Sequence, residues 1–166
     1  MAEYKHIYHT FEPVYNKDSK ILILGSFPSV KSREQGFYYG HARNRFWKVL
    51  SELLSCKEPL EIEEKKEILL KHHIAIWDVI DSCDIKGSSD SSIRNVVPAD
   101  ISSILKQSSV QKIYANGKTA GKLYQKYIQP NTNMEIEILP STSPANAACS
   151  LEDLQNTWRI ILKGLE

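Results

Sequence analysis

Four short runs set the rhythm of the chain. Lys20-Ile21-Leu22-Ile23-Leu24 is apolar without alternation, the pattern of a strand buried on both faces of a parallel sheet. Ile74–Ile80 (IAIWDVI) is a second such run, broken at Asp78, and Val110–Ala115 is a third. Glu135–Leu139 (EIEIL) alternates and reads as a fourth strand. Between these runs the period lengthens to that of helices. One helix is predicted from about Asn44 to Ser55, with Phe46, Trp47, Val49, Leu50, Leu53 and Leu54 forming its apolar stripe. Glu61–His72 is charged, with Ile62, Leu69 and Leu70 inward. Pro98-Ala99-Asp100 opens a short helix, proline fitting its first turn. Asn116-Gly117-Lys118 turns into a helix carrying Leu123, Tyr124 and Tyr127. Ser150-Leu151-Glu152-Asp153 approximates a capping box and starts the last helix, with Leu151, Leu154, Trp158, Ile161 and Leu162 inward.

Strands alternating with helices predict one domain over residues 1–166. Its expected form is a three-layer α/β/α sandwich with a mostly parallel central sheet of about four strands. Right-handed crossovers then bring the strand ends Gly25, Asp78, Asn116 and Pro140 to one edge. Residues 1–19, with turn chemistry at Pro13 and Asn16-Lys17-Asp18, are expected to pack on the domain. The segment from Asp81 to Pro98 is rich in Ser, Asp and Gly. It reads as an irregular excursion placed to form a wall or lid beside that edge.

Composition narrows the chemistry. A net charge of +1 leaves any nucleic-acid surface to a local patch. Cys56, Cys83 and Cys149 form no CxxC pair, so they read as inert thiols of a cytoplasmic protein, not as metal ligands or a disulfide framework. His6, His9, His72 and His73 lack metal-ligand spacing and read as structural or exposed. No apolar run reaches the roughly twenty residues of a membrane span, and no signal-peptide pattern opens the chain. Neither GxGxxG nor GxxxxGK[ST] is present.

The connection from the first strand to the next helix, Gly25–Trp47, is roughly twenty residues long where two to six is usual. It holds Phe37, Tyr38, Tyr39, Arg33, Arg43, Arg45, His41 and Asn44. Aromatic faces among cations suit a flat base and its phosphates. Taken alone, Asn44 could equally be a helix cap. Phe27 and Tyr39 could be core aromatics, Asp78 a turn cap or the partner of an arginine, and Asn116-Gly117-Lys118 a generic helix start.

Three groups of residues in this stretch carry a resemblance: Gly25-Ser26-Phe27-Pro28-Ser29, Gly36-Phe37-Tyr38-Tyr39-Gly40-His41 and Asn44-Arg45-Phe46-Trp47. With the later Pro140-Ser141-Thr142-Ser143-Pro144-Ala145-Asn146, they resemble the uracil-DNA glycosylase superfamily. Within it they are most similar to the deoxyinosine (hypoxanthine) glycosylase family and the mismatch-specific branch. The resemblance implies the same sandwich fold and a monomeric, monofunctional DNA glycosylase that acts on damaged DNA without metal or cofactor. The preferred lesion would be hypoxanthine. Alternatives are a uracil- or mismatch-directed enzyme and a non-catalytic nucleic-acid-binding module.

The family pattern makes Asn44 the catalytic residue. It makes Tyr39 the platform for the flipped base, Phe27 the pocket floor where relatives carry a water-activating acid, and Asp78 the reader of a ring N–H. Ser141, Thr142, Ser143 and Asn146 would contact DNA from the second loop. Asn116 and Lys118 would do so from a helix start, with Arg43, Arg45 and His41 serving phosphates, although one arginine could instead pair within the fold. Ser141 and Ala145 stand where many relatives carry His or Asn and a bulky Leu, which implies weaker extrusion of a base from a normal duplex.

Overall fold

The computed structural model describes residues 3–166. The order of elements is β1 (Tyr4–Tyr8), β2 (Ile21–Gly25), α1 (Val30–Gln35), α2 (Phe46–Leu53), α3 (Ile62–Lys71), β3 (Ile74–Asp78) and β4 (Ile80–Lys86). A single 3-10 turn (Asp90–Ser92) leads to β5 (Arg94–Pro98) and α4 (Ile101–Lys106). The chain ends with β6 (Lys112–Asn116), α5 (Lys118–Tyr127), α6 (Gln129–Thr132), β7 (Ile136–Leu139), α7 (Leu151–Trp158) and α8 (Ile161–Gly164).

The central sheet is all parallel, in the order β3-β2-β6-β7. Its middle strand β2 is sealed on both faces, which is why its sequence is apolar at every position. Helices flank this sheet in the expected α/β sandwich. α3 lies on β3 and α5 on β6 and β7, while α2 and α7 pack on each other through Phe46 and Trp158, edge to face at 5.9 Å. Gly121 lets α5 approach β7, because a Cβ there would lie 2.4 Å from Ile138. The outer edge of β3 is closed by Val14, which exchanges two backbone hydrogen bonds with Ile76 at 3.0 and 2.9 Å.

The stretch from Asp81 to Pro98 is more regular than its composition suggests. β4 and β5 form an antiparallel pair, and β1 joins the other side of β4 to give a second, three-stranded sheet. Its polar strands are stabilised by pairing with residues about eighty positions away (Tyr4 opposite Lys86) and by a small core of Phe27, Ile80, Cys83 and Ile85. Three other expectations differ from the structure. Pro98 ends β5, and α4 is capped instead by the Asp100 carboxylate accepting from Ser103 N–H. α2 begins only at Phe46, leaving Asn44 outside it, and Leu151 is exposed. The Ser150–Asp153 capping box is present. Among the described residues no helix is long and apolar enough to cross a membrane.

Candidate active site

The carboxyl ends of the parallel strands open into a cleft of about 1270 Å³, where ligands of open α/β sheets bind. Gly25, Asp78, Asn116 and Pro140 all line it. So do Phe27, Tyr39, His41, Asn44, Lys118, Ser141, Thr142, Ser143 and Asn146, leaving only Arg43 and Arg45 of the expected site residues outside.

Asn44 is held by a directional relay. Thr142 N–H donates to Asn116 Oδ1 and Asn116 Nδ2 donates back to Thr142 Oγ1, both at 2.9 Å. The Thr142 hydroxyl must therefore turn its own proton outward, and it donates to Asn44 Oδ1 at 2.8 Å. Phe46 N–H donates to the same oxygen at 2.9 Å. A backbone N–H cannot accept, so the amide orientation follows from the bonding. With both lone pairs of its oxygen filled, Asn44 has only the NH₂ left to offer the cleft. The amide is thus better placed to donate to a ligand than to orient a water through its carbonyl. Asn44 also accepts the first N–H of α2, but the cap position belongs to Arg45, so the expectation that Asn44 is the helix cap is not met.

Two residues leave the DNA surface. Thr142 is fully buried, and its role is the relay. Arg45 points inward. Its guanidinium donates to the carbonyls of Ser143 and Asn146, each at 3.1 Å, and to that of Cys149, while its own N–H meets Thr142 O at 3.1 Å. A planar fork of donors fits such a cluster of carbonyls and locks the 140–149 loop against α2. That loop is further fixed from within. Asn146 Nδ2 donates to Ser141 O, and the Ser141 and Ser143 hydroxyls accept from the backbone two residues on. Arg43 is exposed, and only its backbone N–H is bonded, to His41 Nδ1 at 3.0 Å. Lys118 is exposed at the start of α5.

A second cluster lies at the end of β2. Gly25 cannot carry a side chain there, because a Cβ would lie 2.4 Å from Asp78 Oδ1 and 3.0 Å from the Tyr39 hydroxyl. The Tyr39 ring stacks on Phe46 at 4.2 Å, and its backbone takes φ 53, a costly left-handed conformation for an aromatic residue. Burial, and then the nearby Asp78 carboxylate, hold the Tyr39 phenol well above its ordinary pKa, so it remains a donor. Asn116 lies near enough to temper that shift, yet no group meets the hydroxyl in hydrogen-bond geometry. Phe27 is almost fully buried. It belongs to the second sheet's core as well as to the cleft, with the Arg33 guanidinium 5.8 Å from its ring centre.

Asp78 pairs with a histidine, not an arginine. His9 Nε2 donates to Asp78 Oδ2 at 2.8 Å, both side chains being nearly inaccessible. The imidazole sits among Phe11, Phe27, Tyr38 and Trp77, and its Nδ1 has no partner among the described residues. Sequence reasoning did not place His9 against Asp78. No motif surrounds it, and its meeting with Asp78 depends on the β1–β4 pairing.

Comparison with known proteins agrees with this fold. Residues 12–162 match the model of the uracil DNA glycosylase superfamily. A hypoxanthine DNA glycosylase of Methanosarcina acetivorans is 32% identical over 155 residues, covering 92% of this chain and 96% of the relative. Its counterpart in Methanosarcina barkeri is 31% identical over 151 residues, covering 89% and 93%. The solution NMR structure of a candidate uracil DNA glycosylase from M. acetivorans superposes with a TM-score of 0.76 at 29% identity, covering 92% of this chain and 96% of that one.

Proposed function

Because this chain belongs to the uracil DNA glycosylase superfamily, we propose that it is a monofunctional DNA glycosylase of base excision repair whose preferred lesion is hypoxanthine. Its substrate is damaged DNA. A base within a duplex cannot reach the strand ends of the sheet, so the lesion nucleotide must first leave the stack. The bond from C1′ to the base then lengthens, the sugar gains oxocarbenium character, and negative charge builds on the departing base.

The observation that carries the reading is the Asn44 amide, whose oxygen is filled by Thr142 and Phe46 and whose NH₂ is left for the cleft. A preorganised donor aimed at developing negative charge is the main electrostatic aid such a reaction can receive. Tyr39 offers the flipped base an aromatic platform supported from behind by Phe46. Asp78, fixed by His9, serves as acceptor for the ring N1–H of hypoxanthine. All of these groups come from one chain, which suits a monomer, and the three free cysteines suit the reducing cytoplasm.

The test is a panel of duplexes that differ only in one lesion, assayed for base release under single-turnover conditions. Deoxyinosine is expected to lose its base faster than deoxyuridine. Equal or reversed rates would overturn the lesion preference, and no release from any duplex would leave a binding module in place of an enzyme.

A further inference from the structure

We propose that Asp90 is the general base that takes a proton from the water attacking C1′, a role that rests on the glycosylase reading above. Three carboxylates line the cleft, those of Asp78, Asp90 and Asp153. Asp78 is buried and bonded to His9. Asp153 closes the capping box of α7, accepting Ser150 N–H at 3.1 Å, and that bond holds its carboxyl below the usual range. Asp90 Oδ1 accepts the Ser26 hydroxyl at 3.1 Å, and Oδ2 has no partner among the described residues. Ser26 directly follows the end of β2, so the bond draws the carboxylate toward the strand ends where the lesion must sit.

The turn that carries Asp90 is pinned. Ser88 Oγ accepts Val30 N–H at 2.8 Å, and Arg33 donates to Gly87 O at 2.9 Å, both from α1. Ser92 Oγ donates to Ser89 O at 2.7 Å within the turn. A carboxylate bonded to Ser26 and carried on a turn tied at three points meets the requirement that a catalytic group be placed before the substrate arrives. Solvent reaches Asp90, yet the concave walls crowd out much of its hydration. That crowding, and the charge of Asp78, raise its pKa, while the Ser26 bond opposes the rise. A carboxylate whose pKa is raised toward the working pH is a stronger base. Its charge is also felt by the Cys83 thiol, which burial pushes up to about 11 and so keeps neutral, and the Arg33 guanidinium, tied to Gly87 O, is a cation beside that thiol.

The step balances without a further reactant. As the C1′–N bond breaks, its electron pair leaves with the base, which Asn44 stabilises by donation. Water oxygen bonds to C1′ and its proton passes to Asp90 Oδ2. Solvent later protonates the released base, and Asp90 returns its proton to solvent.

Asp90→Asn is the informative variant, because its carbonyl can still accept the Ser26 hydroxyl while the basic oxygen is lost. On a deoxyinosine duplex, with enzyme saturating, the single-turnover rate should fall about a hundredfold, within the usual range for a general base, while duplex affinity changes little. The wild-type rate should fall as pH drops through the pKa of Asp90, above where an ordinary carboxyl titrates near 3.9. That acid limb should vanish in Asp90→Asn. Ser26→Ala, which removes only the anchor, should lose much less rate and keep the limb. A rate for Asp90→Asn within about threefold of wild type, with the acid limb intact, would overturn the proposal and leave Asp90 as a tether. Absence of base release by the wild-type protein from every lesion would instead overturn the glycosylase reading, and this assignment with it.

Discussion

Around Asn44, Asn116 and Thr142 every side-chain oxygen is engaged in the relay, whereas around His9, Tyr39 and Asp78 two buried atoms have no partner among the described residues. The first region crosslinks two loops and leaves its amide no alternative orientation. The second keeps His9 Nδ1 and the Tyr39 hydroxyl away from water without a partner, at a cost of roughly 1–3 kcal/mol for each such atom. Native proteins rarely carry such atoms without a reason. The contrast separates two tasks in one cleft. One region holds a single donor still, and the other leaves the Tyr39 hydroxyl at the cleft wall without a protein partner, where a bound base edge could meet it.

Breaking the first region at its free end should have the largest effect. Asn44→Ala removes the donor, and the single-turnover rate should fall by about a hundredfold or more, the usual loss for one preorganised donor. Asn44→Asp is sharper. Its carboxylate can still accept from Thr142 and Phe46, so the loop should stay folded, but it presents an acceptor and a charge where the amide presented N–H. It should therefore be nearly as slow as the alanine variant. A fast, folded Asn44→Asp protein would show that donation to the base is not what the relay provides.

Thr142→Val tests the hold and not the donor. It keeps the shape of the buried side chain but deprives Asn44 Oδ1 of a donor and Asn116 Nδ2 of an acceptor. Stability should drop by about 1–3 kcal/mol in chemical denaturation, the cost of a stranded buried group. The rate should fall about tenfold, equivalent to 1.4 kcal/mol of lost transition-state positioning. A full-sized stability loss with an unchanged rate would mean that Phe46 N–H alone is enough to fix the amide.

These two regions also differ in how far the sequence announces them. β2 and β3 are legible because strands buried on both faces must be apolar throughout, and their ends place Gly25 and Asp78 side by side at one edge. β1, β4 and β5 are not, because each has an exposed face and the partners of β1 lie nearly eighty residues away, a separation that local pattern cannot encode. His9 and Asp90 were hidden for the same reason: His9 reaches Asp78, and Asp90 the cleft, only through that second sheet. Thr142 and Arg45 sit in recognised motifs, but a motif gives residue type and not direction. Whether a hydroxyl or guanidinium faces DNA or its own backbone is decided by the neighbouring loop.

The smallest expected effect compares two arginines two positions apart. Arg45 ties three carbonyls of the 140–149 loop, whereas the Arg43 side chain is exposed and has no protein partner among the described residues. Arg43→Ala should therefore leave denaturation within about 0.5 kcal/mol of wild type, as is usual for surface changes. If its guanidinium meets a phosphate, affinity for lesion duplex should weaken a few-fold at moderate salt. The slope of log affinity against log salt should shrink by about 0.9, because one fewer phosphate is neutralised and one fewer counterion released. The weakening should be the same for every lesion, since a phosphate contact positions DNA without reading a base. An unchanged salt slope would remove Arg43 from the DNA surface, and a lesion-dependent loss would place it near the base. A loss of stability without loss of affinity would put it with Arg45 among the groups that hold the loops together.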